Sequence, residues 1–574
     1  MKKNKKFSRD YAPLAATFCL AVASASVLAA ADDLNPFGVG SSAEASGLYG
    51  AWMPKVAAAG AAWVRIFPEW NEIEPSLGTW NWTRMDSILN TAASNHLNVS
   101  GLFLYNARWL NPNPHTFPTN DYPQWSAYVS NVVRHAAGRV RYWEVWNEPE
   151  SFAAGGTPAE YARLVAAADE AAKAADPNAQ IGLSVASVDV LYLERTIEAG
   201  AADHFDFICV HPYELLGTVS SGQEAEFLSI VPTIRKMLAG KDPARINVPV
   251  WFTEMGEELR GPVTPTAQAG DLVKAYTMAL AQGVSRIEWF EAQEGGYAMG
   301  LLDRSGAPSP SYAALKNLAV ELGSRPRYLG WLSLNGSDGC GFVFQGVTTS
   351  VMVSWASPNK AADITFGTPV KILNPLDGSV LNQPKLRLST VPALVSGLPL
   401  PMVRQAESNR DQPFPWGCTY ATASSVSVVL GNPNLEYGLH QLNPDSTSTP
   451  ARINGVPARA CGKSAGVAFT VDPNFLSYTH APIIISAAVR RMSAASHPGF
   501  NLKYESAAGR KGIGWNSVPG DDQWHTLTWN ISDDEFVGSW GYNFTFDSDS
   551  TNYSQYYLRQ VTVTKLAPSG SVQK

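Results

Sequence analysis

Charge is scarce in this chain: Asp, Glu, Lys and Arg make up only 16% of its 574 residues, and the formal net charge is −7. A phosphate backbone is bound by an excess of positive charge, so this balance argues against nucleic-acid partners. Cysteine is scarcer still, five in all, and no two stand at the short spacing of a zinc site. No metal and no cofactor are expected. No glycine-rich phosphate loop follows the first strand-like run, which removes the usual dinucleotide cradle. Beyond residue 31 no apolar run approaches the ~20 residues that span a bilayer. No internal repeat is visible.

What the chain does have is aromatic surface, with 18 Trp, 21 Tyr and 22 Phe. It also has an export signal. Lys2, Lys3, Lys5, Lys6 and Arg9 precede an apolar run from Leu14 to Ala30, and small residues follow at Ala29, Ala30 and Ala31. Residues 1–31 are expected to be a cleaved signal peptide and the product to be secreted or periplasmic; an uncleaved anchor is the alternative. Cleavage removes five positive charges and one negative, leaving about −11. Cys19 lacks the small residues of a lipobox before it. Of the four cysteines left, Cys209 reads as a buried free thiol and Cys340 stands alone. Cys418 and Cys461 fall in one domain and are candidates for a disulfide in an oxidising compartment.

A chain of this length holds several cores. From 32 to 324, strand-like runs near Phe37–Gly40, Trp63–Phe67, Asn98–Leu104, Tyr142–Trp146, Ala179–Ser184, Phe205–Val210, Val248–Thr253 and Arg286–Phe290 alternate with helical stretches. Thr157-Pro158 opens one of these as a cap followed by Pro at the first helical position. Eight such units predict an α/β fold, a (β/α)8 TIM barrel; a doubly wound sheet is the competing reading. The helical period then stops. Residues 325–400 predict a small β-sandwich module, and 401–415, with three Pro, a linker. Residues 416–566 predict a jelly-roll-like β-sandwich, and 567–574 a disordered tail.

Two of the barrel strands end on a carboxylate. Tyr142-Trp143-Glu144-Val145-Trp146-Asn147-Glu148-Pro149 and Val250-Trp251-Phe252-Thr253-Glu254-Met255-Gly256 put Glu148 and Glu254 106 residues apart, about three βα units. Parallel barrel strands end at the catalytic face, so both glutamates are expected at one mouth. Strand parity places Glu144, Trp146 and Glu148 on one face of the fourth strand, and Phe252 and Glu254 on one face of the seventh.

Trp146-Asn147-Glu148-Pro149 resembles the acid/base signature of the clan A retaining glycoside hydrolases. The stretch from Arg65 to Trp82 is most similar to glycoside hydrolase family 39 and its bacterial endoglycosidase relatives. The resemblance implies Glu148 as acid/base and Glu254 as nucleophile, in a double displacement that retains stereochemistry with the carboxyls ~5–5.5 Å apart. It further implies that Arg65 and the Tyr213 of His211-Pro212-Tyr213 support the nucleophile. Asn147 would bind the sugar 2-hydroxyl, and Trp289 would lie under the sugar. Where cellulase-like members carry a His after strand three, this chain has Leu104-Tyr105-Asn106, so a glucan contact set does not transfer.

Each of these residues has a plainer reading. Arg65 would serve as an interior ion pair with Glu144, His211 as a satisfied core histidine, and Trp289 as packing. Tyr105, Trp109 and Trp125 are candidates for outer subsites, Glu291 and Glu294 for polar contacts after strand eight. In the last domain, Trp515, Trp524, Trp529, Trp540 and Tyr542 suggest glycan binding, although alternation puts some of them, such as Trp529, in the core. Asp547-Ser548-Asp549 offers calcium-type oxygens, though acidic surface loops commonly bind nothing. The expected partner is an oligo- or polysaccharide with β-glycosidic bonds, and the protein a monomer that meets no membrane beyond export. A catalytically silent glycan-binding protein and a transglycosylase are the rivals.

Overall fold

The computed structural model describes residues 34–566 except 43–45, 337, 362, 462–465, 494, 496–497 and 549–554. The expected signal peptide, the tail after 566 and Asp549 lie outside the described residues. Eight parallel strands close into a barrel: β1 (Phe37–Gly40), β2 (Trp63–Arg65), β3 (Asn98–Phe103), β4 (Tyr142–Val145), β5 (Gln180–Ser184), β6 (Phe207–Val210), β7 (Val250–Met255) and β8 (Arg286–Trp289). β1 pairs with β8 through Phe37 and Ile287, which rules out the open, doubly wound sheet. The helix Pro158–Ala175 starts on a capping box, Thr157 and Glu160 each bonding the other's backbone N–H. No helix among the described residues is long and apolar enough to cross a membrane.

Alternation along short strands sorts the barrel interior into layers. At the bottom, Trp63, Tyr142, Phe207 and Trp251 pack ring against ring beside Cys209. Above them lies a polar layer: Ser100 on Glu288, and Ser184 (2.6 Å) and Arg65 on Glu144. A buried polar layer needs partners for its groups, and side chains from five strands supply most of them here, one oxygen of Glu288 excepted.

After Leu322 the chain forms one six-stranded antiparallel sheet instead of the expected small sandwich. Cys340, Phe342, Phe344 and Trp355 pack one face onto the barrel core. The segment read as a linker, 401–415, holds a helix, Leu400–Asn409, that covers the other face through Met402, Val403 and Ala406. Its proline misled because Pro401 sits in the first turn, where no backbone N–H is needed. The last domain has seven-stranded and five-stranded sheets enclosing one core that includes Val428, Phe469, Ile485, Phe500 and Phe546. All four described cysteines are free. The candidate Cys418–Cys461 bond is absent: Cys461 faces the sandwich core, while Cys418 sits in a short turn with its thiol on the Phe414 carbonyl.

Candidate active site

The carboxylates of Glu148 and Glu254 meet at the barrel mouth, but by a route that strand parity does not give. β4 ends at Val145, and Trp146 and Glu148 both take positive φ (64° and 45°). This turn sends Trp146 outward, where it packs against Tyr105, Phe117 and Trp125 with no exposure, and swings Glu148 over the mouth. Side chains rarely tolerate that backbone region, and strain of this kind persists where the surroundings hold it. On β7 a bulge sets Thr253 and Glu254 against a single residue of β8. Both therefore face inward, while Phe252 packs outside against Phe227.

Around the two carboxylates the network is continuous. Arg65 Nε donates to Glu144 at 2.8 Å and Nη2 to Asn147 Oδ1 at 2.7 Å, and Nη1 is bonded to Glu254. Tyr213 donates its hydroxyl to Glu254 Oε2 at 2.7 Å. His211, fully buried, sets Nδ1 2.8 Å from Glu148 and Nε2 3.1 Å from the Thr253 hydroxyl. Tyr105 stands at the rim, partly buried, with its hydroxyl near Asn147. Arg65 thus pairs with both Glu144 and Glu254, and His211 bridges three carboxylates carried by two strands, β4 and β7.

Electrostatics separate the groups. Burial pushes Glu254 up, but the His211 and Arg65 charges and the Tyr213 hydrogen bond prevail and hold it below the usual carboxylate range. Burial also opposes ionisation of Glu144, yet Arg65 and His211 lower it to about 2. Burial would discharge His211; the Glu254 charge and bonds to Glu144 and Glu148 raise it to about 10. Glu148, His211 and Glu254 bring ligand-type atoms within 4.8 Å of one another, a spacing a metal ion accepts. Arg65 and Tyr213 already bond both oxygens of Glu254, however, and both His211 nitrogens face partners inside the cluster, Glu148 and Thr253.

Four expected subsite residues lie elsewhere. Trp289 is fully buried, its indole N–H on the Met299 carbonyl, because it falls on the outward parity of β8. Phe290, one residue on, shares the inward face with Arg286 and Glu288, and its ring meets Tyr213 edge-on at 6.2 Å. The same alternation that placed Glu288 inside would have found it. Trp125 is core, against Trp70 and Trp146. Trp109 is half-buried with its indole on the Glu74 carbonyl. Glu291 is buried and accepts the backbone N–H groups of Ser42 and Gly295, so it ties loops together.

With this geometry in view, residues 79–283 match the family model Glycosyl hydrolases family 39. The chain is 26% identical over 220 residues to the endo-1,4-β-xylanase A of Phanerodontia chrysosporium, covering 35% of this chain and 50% of that protein. It therefore spans about half the length of the curated relative it matches. A solved family 39 glycoside hydrolase from Bacteroides cellulosilyticus shares its fold with a TM-score of 0.53 and 19% identity, over 64% of this chain and 81% of that one. A family 30 endoxylanase from Clostridium papyrosolvens aligns over 64% and 97%, at a TM-score of 0.47 and 14% identity.

Proposed function

The chain carries a glycoside hydrolase family 39-like barrel, and on that premise we propose that it hydrolyses β-glycosidic bonds of an oligo- or polysaccharide with retention of configuration. The observation that carries the reading is the pair Glu148 and Glu254, with carboxylate oxygens within 4.8 Å. Retaining enzymes need carboxyls ~5–5.5 Å apart, whereas inversion needs ~6.5–9.5 Å to admit a water.

Glu254 attacks the anomeric carbon, its charge held ionised by Arg65 and Tyr213. Glu148 gives its proton to the glycosidic oxygen as that bond breaks. His211 donates to Oε1 of Glu148, so the transferred proton belongs on Oε2. The covalent glycosyl-enzyme has no Glu254 charge, and Glu148 now takes a proton from the incoming water. Asn147 is oriented by Arg65 on its carbonyl side, which turns its amide N–H groups toward the sugar 2-hydroxyl and Tyr105. The protein would act after export as a monomer, and the xylanase relative makes β-1,4-xylan the first polymer to assay.

Product stereochemistry followed by NMR should show net retention, and Glu254→Gln should lose nearly all turnover. Full activity in Glu254→Gln would sink the assignment. With an activated aryl glycoside, Glu148→Ala plus azide should yield the β-glycosyl azide.

A further inference from the structure

The turn 537–541 of the last domain leaves the sandwich and lands on the barrel mouth. From inside its own domain it is anchored by the buried Glu505, whose carboxylate accepts N–H groups of Val537 (3.0 Å), Gly538 (3.0 Å) and Ser539 (2.6 Å) and the Asn543 amide. On the other side, Ser539 Oγ reaches Asp189 and the Trp540 N–H donates to Ser187 Oγ at 3.0 Å. Gly541, at φ 76°, lies so close to Glu214 that a Cβ would collide with it, and only glycine serves there. Ser187 and Asp189 follow β5, and Glu214 follows Tyr213 after β6. The Ser187 carbonyl in turn accepts the His211 N–H at 2.9 Å, and His211 bonds Glu148.

Trp540 is thus two residues, Ser187 and His211, from the proposed acid/base. Its backbone sits at φ 61°, where a bulky side chain is strained, and 38% of the residue remains exposed. It belongs to neither the barrel core nor the sandwich core. A strained position held from both sides that leaves an indole partly in water is not explained by packing. The acid follows β4 and the turn stands over the ends of β5 and β6, so the turn lies on the acid's side of the mouth, the side from which the leaving group departs. Resting on the hydrolase reading above, we propose that Trp540 is a sugar-stacking platform of the cleft on its leaving-group side. The active site is then built from two domains, with a pyranose ring lying on the indole face.

The test uses the full chain with β-glycosyl fluorides and β-1,4-linked hexasaccharides of xylose, glucose and mannose. A fluoride leaving group fills no sugar subsite, so it reads the bond-breaking centre alone. In Trp540→Ala and Trp540→Gly the loss of kcat/KM on the hexasaccharide should exceed that on the fluoride by about 3- to 10-fold, the worth of one ring contact. Transfer from the fluoride to an added sugar acceptor should fall in the same proportion, and Trp540→Phe should keep most of both. Trp540→Gly suits the left-handed backbone, so its melting temperature should not fall below wild type. Equal losses on fluoride and hexasaccharide would overturn the platform and make Trp540 a positioning residue acting through Ser187. No loss on either would also overturn it, while leaving the hydrolase reading intact. Wild-type failure on every fluoride and every hexasaccharide would instead overturn the hydrolase reading, and the platform with it.

Discussion

Nδ1 of His211 lies 2.8 Å from Glu148 and 3.9 Å from Glu254, so one buried imidazole faces both carboxylates of the proposed reaction. Its Nε2 faces Thr253 and, at 3.7 Å, Glu144. With acceptors on both sides the ring carries two protons and a positive charge. Removing it takes a donor from Glu148 and a cation from Glu254 together. His211→Phe should lower kcat by about 10²-fold, within the range that acid–base machinery commands. His211→Asn, which keeps a donor near Glu148 without the charge, should fall between. Steady-state rates on one oligosaccharide decide the order, and two variants close to wild type would reduce His211 to packing.

The same cluster sets a pH window for stability. His211 is raised from 6.5 to about 10, so the folded state binds its proton more tightly than the unfolded chain. Its stabilisation is complete below about pH 6.5 and disappears as pH climbs through about 10. Glu144 is lowered from 4.5 to about 2, so its contribution is present above about pH 4.5 and is lost as pH falls toward 2. Melting temperature should therefore be highest between about pH 4.5 and 6.5 as far as these two groups act. The gap between wild type and His211→Phe should narrow from pH 6.5 to 10. A gap that widens over that range would contradict a charged His211.

The barrel was legible because its strands are short apolar runs at regular intervals, and all eight appear within two residues of the expected ends. The two glutamates were legible because strand ends in a parallel barrel share one face. What failed was parity past a strand end: the positive φ at Trp146 and the bulge at Thr253–Glu254 re-aim side chains, and neither leaves a period in the sequence. Trp289 and Phe290 were a different error, since alternation from Glu288 already chose between them. The helix Leu400–Asn409 was hidden by composition: only Ala406 is fully buried along it, so its apolar stripe is thin. The meeting of Trp540 with Ser187 joins residues 353 positions apart, a contact no local pattern encodes.

Arg65 offers a sharper test of the cluster than its charge suggests. One guanidinium bonds Glu144, Glu254 and Asn147 through three different nitrogens. A lysine ammonium has the charge but not the planar fork, and reaches these acceptors from a single point. Arg65→Lys should therefore release Asn147 and Glu254 together, with kcat reduced by at least about 10²-fold, as for a lost transition-state donor. Arg65→Met, which takes the guanidinium from buried Glu144 and leaves it Ser184 and His211, should also cost up to about 3–5 kcal/mol of stability. Denaturant unfolding alongside initial rates separates the two effects. A lysine variant with wild-type kcat would mean that charge alone suffices.

The corrected linker carries its own consequence. Gly330, at φ 144° in the strand Arg327–Leu334, lies against the Ala406 carbonyl of the helix Leu400–Asn409, with no room for a Cβ. The helix is seated on the sheet at that point, and Asn409 Nδ2 bonds the neighbouring Trp331 carbonyl at 3.0 Å. Gly330→Ala meets both a forbidden backbone and a rigid neighbour, and overpacking of this kind costs about 1–3 kcal/mol. The sheet's other face rests on the barrel, so the strain should lower the calorimetric melting temperature while kcat per folded molecule stays near wild type. If 401–415 were a loose linker, the helix would move aside and the melting temperature would not change.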